Sequence, residues 1–200
     1  PISSSRRRAA WVRRWVATAE VAPLRGNVGT RLARLSSNAS LDAAVLAMAG
    51  LRRLGLFVGP GGRLARDPRR TSHSAVTVPE GLLATTLEPE EMLPAPGQGA
   101  LGIEVATSNA AAADMARALT HRNTWVAVTA EREFLRILGD GCASPVSAHG
   151  RVLGHKVELR VAVESEGKWW GAVECRASSD AAALGRDMAM EARTWQGRGS

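Results

Sequence analysis

Two cysteines, four histidines and, in the first 70 residues, no lysine at all set the outer limits on what this chain can be. Neither Cys142 nor Cys175 sits in a CxxC or CxxH context, so a disulfide scaffold and a zinc module are excluded and a reducing compartment is the default. His73, His121, His149 and His155 are scattered without ligand spacing, and no metal site is expected. Long apolar runs are missing too. The longest, around Ala43 to Ala49, is far short of the roughly 18 residues of a membrane span. The opening PISSSRRRAA carries arginines with no apolar segment of the signal type behind them. There is also no initiator Met, and the chain opens inside what reads as a strand end, so a fragment lacking its upstream part is expected. Aromatic residues make up 4% of the chain and do not interleave with the charge, which argues against the stacking platforms of a nucleic-acid binder.

What is present is an apolar content of 45% over 200 residues, enough for a real core in one large or two small domains. Charge is unevenly placed. Residues 1–70 hold fourteen arginines and three acids (Glu20, Asp42, Asp67), whereas residues 71–200 hold twelve bases and sixteen acids. The front part is therefore an anion binder by composition. Solvated helix faces account for most single arginines, and nucleic acid is a second reading of such a basic region. Small carboxylates or phosphates are the third, and the choice of Arg over Lys favours planar, bidentate recognition.

The stretch Arg7–Ala17 places Trp11, Val12, Trp15 and Val16 at helical spacing with arginines on the other faces. Ser3 to Ser5 stand ready to cap it, and a capped helix start beside Arg7 and Arg8 is an anion cradle. AEVAPL (Ala19–Leu24) reads as a strand, followed by a turn at Arg25, Gly26 and Asn27 and a second helix from Gly29–Thr30–Arg31. LDAAVLAMAGLRRLG reads as a small-residue strand running into a short helix with Arg52 and Arg53. Strand and helix alternating in this way predict a parallel α/β sheet with arginines delivered to one place at the strand ends. Residues 57–86, rich in Gly, Pro, Ser, Thr and Arg, read as a long surface loop with one short strand. LPAPGQGALGIEV (Leu93–Val105) reads as a glycine loop, a tight turn entering a buried strand. NAAAADMARAL and TWVAVTAEREFLRIL read as helices separated by HRN. The loop LGDGCASP then leads to three antiparallel strands between Ala148 and Ala177 and a closing helix over SSDAAALGRDMAMEARTW. Cys175, in an apolar strand pattern, reads as a small buried thiol.

The blocks ISSSRRRAA, RGNVGTRL, AGLRRLG, LPAPGQGALGIE, TAEREFL and GCxxP (Gly141–Pro145), in that order, resemble the signature blocks of the porphobilinogen deaminase (hydroxymethylbilane synthase) family over nearly the whole chain. The resemblance implies an α/β fold: a periplasmic-binding-protein-like (type 2) domain and a small α+β C-terminal domain with an antiparallel sheet. On it, residues 1–90 are the second α/β domain, incomplete at its start and carrying a long insertion near 57–86. Residues 91–108 return to a missing first domain, which makes the PGQGA glycines a close backbone approach and an interdomain hinge, and residues 109–200 are the C-terminal domain with the cofactor cysteine. The isolated returning strand would lack sheet neighbours, which predicts aggregation.

The resemblance further implies a transferase that condenses four porphobilinogen units into hydroxymethylbilane, releasing ammonia each time, in tetrapyrrole synthesis. It implies a dipyrromethane cofactor attached by a thioether to Cys142, with Ser5, Arg7, Arg8, Arg25 and Arg31 on the cofactor. Arg25, Arg31 and Arg53 fall to the substrate, and Gln98 is a weaker site candidate. The catalytic Asp of the family falls upstream of Pro1, so no catalytic residue is expected in this chain. The implied partners are porphobilinogen and the growing polypyrrole, with no nucleic acid and no membrane; the protein would be a monomer of the bacterial cytoplasm or the plastid stroma. The alternative is a non-catalytic anion-binding module on the same scaffold.

Overall fold

The computed structural model describes residues 5–68, 77–139 and 145–197, which divide between two compact units, Pro1–Met92 and Leu93–Ser200. Each unit is built around its own apolar cluster.

In the first unit α1 spans Arg6–Trp15, α2 Val28–Ser37 and α3 Met48–Arg53. Helix α1 buries Ala9, Ala10, Trp11 and Val12, whereas Trp15 and Val16 of the apolar stripe read from the sequence are 45% and 53% exposed. Helix α2 is capped by Asn27, whose Oδ1 accepts from the Thr30 N–H at 2.9 Å. The strands expected before α2 and α3 are reduced to single bridge positions at Ala22 and Ala44. Among the described residues every named ladder is antiparallel, and the expected parallel pairing is not among them. The reason is local: alanine-rich runs carry little β preference, and Pro23 cannot donate to a ladder.

Residues 57–86 also depart from the expected loop. Leu56–Val58 (β1) and Leu64–Arg66 (β2) form a hairpin around Pro60–Gly62. A third segment joins through the Arg63–Leu83 bridge and the Ala84 N–H bond to the Gly62 carbonyl, 2.7 Å. Two apolar residues make this worthwhile, because Leu56 and Leu64 close a small core with Leu32 and Leu51. Residues 69–76 of the insertion lie outside the described residues.

The second unit contains α4 (Ala110–Ala118), α5 (Arg122–Leu138), β3 (Val146–Leu153), β4 (Lys156–Ser165), β5 (Lys168–Ala177) and α6 (Ala181–Gly197). The strands form an antiparallel sheet in the order β3-β4-β5. Helices α5 and α6 supply Ala130, Phe134, Leu138, Leu184 and Met188 to the same core as Val157, Leu159, Val161 and Val163 of β4. The expected helix boundary at HRN shifts, since His121 caps α5 and Arg122 and Asn123 are already helical.

Two expectations are corrected here. Cys175 is exposed. Trp170 and Ala172 of β5 pack on the core, so the period of two turns Val173 and Cys175 to the other face. Residues 101–105 are not a buried strand: Leu101 is 89% and Ile103 56% exposed, with no ladder assigned. Among the described residues no helix is long and apolar enough to cross a membrane.

Candidate functional site

Among the described residues of the first unit, the arginines at the start of α1 are the most constrained. Ser5 caps the helix, its Oγ accepting from the Arg8 N–H at 3.4 Å. Arg7, in the first turn, is only 5% exposed. Its guanidinium is pulled down to about 10, first by burial and then by the charge of Arg8. Arg8 is lowered as well, by burial and then by Arg31. Burial penalises a cation and a like neighbour penalises it again, so both causes raise the cost of this charge cluster.

Arg8 crosses to the segment preceding α3, its Nη1 donating to the Val45 carbonyl at 3.2 Å. Arg31 and Arg34, one turn apart on α2, fold back over the glycine turn. Arg31 Nε donates to the Gly26 carbonyl at 2.8 Å, and Arg34 Nη1 donates to the Arg25 carbonyl at 3.3 Å. Helix α3 lies against the start of α2, where a Cβ on Gly50 would come within 3.3 Å of Val28 Cγ2. The starts of α1 and α2 and the approach to α3 are thereby tied together.

The sequence-derived residues divide accordingly. Arg7, Arg8 and Arg31 share one electrostatic environment at the capped end of α1. Arg25 is exposed and enters through its carbonyl; Arg53 is exposed at the end of α3. Ser3, Ser4 and Cys142 lie outside the described residues. Arg34 was not singled out from the sequence, although it lies one helical turn beyond Arg31, the spacing at which two side chains share a helix face.

In the second unit a groove of about 480 Å³ runs along α5 past Trp125, Arg132 and Arg136 to Gly139. Buried behind α5, Glu131 accepts from the Gly97 N–H and from the Gly150 N–H, both at 2.6 Å. The sequence signal for Glu131 was there to use: it falls in register with Ala127, Ala130, Phe134 and Leu138 on the buried stripe of α5, where an acid needs partners.

Chemically, the first unit offers buried, planar donors and a helix N-terminus, which together suit a small ligand bearing several carboxylates.

Comparison with known proteins gives a consistent picture. Residues 2–114 match the family model "Porphobilinogen deaminase, dipyromethane cofactor binding domain", and residues 125–194 match "Porphobilinogen deaminase, C-terminal domain". The chain is similar to porphobilinogen deaminase of Alkaliphilus metalliredigens, 37% identical over 163 residues, 82% of this chain and 44% of the relative. With that of Albidiferax ferrireducens it shares 35% identity over 191 residues, 96% of this chain and 53% of the relative. With that of Thiobacillus denitrificans it shares 42% over 147 residues, 74% and 40%. The chain thus spans about half the length of the curated relatives it matches.

Proposed function

The chain belongs to the porphobilinogen deaminase family, and from that premise we propose that it is part of a hydroxymethylbilane synthase acting as a monomer on porphobilinogen. The reaction joins four porphobilinogen units head to tail and releases one ammonia per unit. We infer that the first unit belongs to a periplasmic-binding-protein-like (type 2) α/β domain over residues 1–90. Residues 91–108 are the segment that returns to a further domain, and residues 109–200 are the C-terminal domain.

The observation that carries the reading is the buried arginine group at the capped start of α1, where Arg7 and Arg8 are both depressed by burial and by neighbouring cations. When bound, the dipyrromethane supplies the primer on which chain growth begins, held through a thioether to Cys142. Arg7, Arg8, Arg25, Arg31 and the Ser5 end of α1 would hold its carboxylates. Arg25, Arg31 and Arg53 take the carboxylates of incoming units, which add negative charge with every cycle. Bidentate guanidinium contacts orient each ring without a proton transfer. Gln98, on the glycine turn, is a weaker contact.

The test is intact-mass spectrometry of the full-length protein and its Cys142→Ser variant. A mass increment of two pyrrole units in the first, absent from the second, is expected. A folded protein with neither increment nor turnover of porphobilinogen would overturn the reading.

A further inference from the structure

The turn at Pro94–Ala100 is built into the second unit. The Ala148 N–H of β3 donates to the Pro94 carbonyl at 3.1 Å, on the edge of β3 that β4 does not occupy. Three residues on, the Gly97 N–H donates to Glu131 Oε2 at 2.6 Å. The other oxygen of the same carboxylate takes the Gly150 N–H of β3, also at 2.6 Å. One side chain therefore joins helix, strand and turn. Both glycines are required for this. Gly97 has φ +72, a conformation that L side chains rarely adopt, and a Cβ on Gly150 would come within 2.8 Å of the Ala127 carbonyl of α5.

The turn closes on itself as well, through Gln98 N–H to the Ala95 carbonyl and Ala100 N–H to the Gly97 carbonyl. Beyond Ala100 this pattern stops, and residues 101–110 are all exposed. The glycine motif read as a hinge is thus anchored in the second unit.

We propose that Glu131 is a positioning residue: its carboxylate locks the Pro94–Ala100 turn onto α5 and β3, so that Gln98 is presented by the second unit. The bearing of this lock on catalysis, through Gln98, rests on the deaminase reading; the lock itself does not.

Among the described residues, the Glu131 carboxylate is bonded by the Gly97 and Gly150 amides. His149 and Arg151 flank Gly150 on β3 and, by strand alternation, project from the opposite face. On α5, Arg132 and Arg136 are exposed, and Glu133 pairs with Arg136 at 2.8 Å and with Arg186 of α6 at 3.6 Å. The turn contributes no ionisable side chain.

Amide hydrogen exchange on the full chain tests the lock. In Glu131→Gln, one glycine N–H faces an amide nitrogen in place of an acceptor. Gly150 stays within β3, so the turn is the part released. Exchange at Gly97 to Ala100 should accelerate by about tenfold or more, the effect of a lost hydrogen bond of about 1.4 kcal/mol, while Leu159 and Val161 of β4 keep wild-type protection. Unchanged protection at Gly97, or an equal loss across the whole unit, would overturn the proposal. Should the variant not fold, the wild-type protein decides the matter by NMR: the amide protons of Gly97 and Gly150 must shift together, with the midpoint of the Glu131 carboxyl carbon. Separate midpoints would refute a shared acceptor.

The catalytic arm uses the full-length enzyme. Glu131→Gln should retain the Cys142 adduct and lose turnover more than tenfold, with Glu131→Asp recovering part of it. A variant with wild-type kcat and KM overturns the positioning role. Absence of adduct and turnover in the wild type overturns the deaminase reading alone.

Discussion

Arg8 and Val45 are 37 positions apart in sequence and joined by a 3.2 Å hydrogen bond from guanidinium to carbonyl. The contact holds the approach to α3 against the start of α1, and it keeps a partly buried cation beside Arg7. The structure of this corner and its affinity for anions are therefore coupled.

That coupling predicts a response to polycarboxylates. Citrate, binding the native arginine group, should raise the melting temperature of the wild-type protein. At a hundred times Kd the stabilisation is about 2.7 kcal/mol. Arg8→Ala should weaken the citrate response at least tenfold in apparent Kd, while the lost Val45 bond and the relieved repulsion on Arg7 oppose each other in stability. Thermal melts across a citrate titration, repeated in sodium chloride of equal ionic strength, check both effects. An equal response from wild type and variant would place the anion elsewhere.

Gly150→Ala should be among the most damaging single-atom additions in the second unit. The new Cβ would lie within about 3 Å of the Ala127 carbonyl, Cα and Cβ of α5. Backbone cannot rotate away as a side-chain tip can, so helix and strand must separate, at a cost of about 1–3 kcal/mol or more. Chemical denaturation reads this directly. Gly154→Ala, at a turn with open space around the position but φ +61, separates the steric cost from that of backbone conformation.

Cys175 should react in the native protein. It is exposed on β5 beside the exposed Val173. A maleimide reagent at neutral pH should label it without denaturant, as peptide mapping would show. Protection until unfolding would mean that another surface covers this face of the sheet.

Much of this was legible from the sequence, for identifiable reasons. Helices α1 and α5 and strands β3 to β5 were found because burial imposes the helical and strand periods on them. AEVAPL and LDAAV misled because small apolar runs satisfy a strand pattern while each supplies a single β-branched side chain, Val21 or Val45, among alanines. The β1–β2 hairpin was hidden by the glycines and proline that make its turn, since the same residues mark loops. Cys175 went to the wrong face because in a half-covered sheet a shift of one residue reverses exposure. At the site, Ser5, Arg7 and Arg8 were visible as a cap with adjacent cations. The crossing from Arg8 to Val45 was not, because a backbone carbonyl leaves no trace in side-chain identity.

The pH dependence of stability should carry the signature of Glu131. Burial raises its carboxyl above the ordinary value of 4.5, and the Gly150 and Gly97 amides only partly oppose this. The native state therefore holds the Glu131 proton more tightly than the unfolded chain. The stabilising contribution is fully present below about 4.5 and is lost as pH rises through the higher folded value. Glutamine has no proton to lose, so the difference between wild type and Glu131→Gln isolates this group from every other titration. The wild type should gain on the variant as pH falls from neutral towards 4, and the gap should be flat above the folded value. Denaturant unfolding of both proteins across that range measures it. A gap that widens in favour of the wild type as pH rises would mean that the two amides outweigh burial. The carboxylate would then hold the turn more tightly than its burial implies, and acid would loosen it.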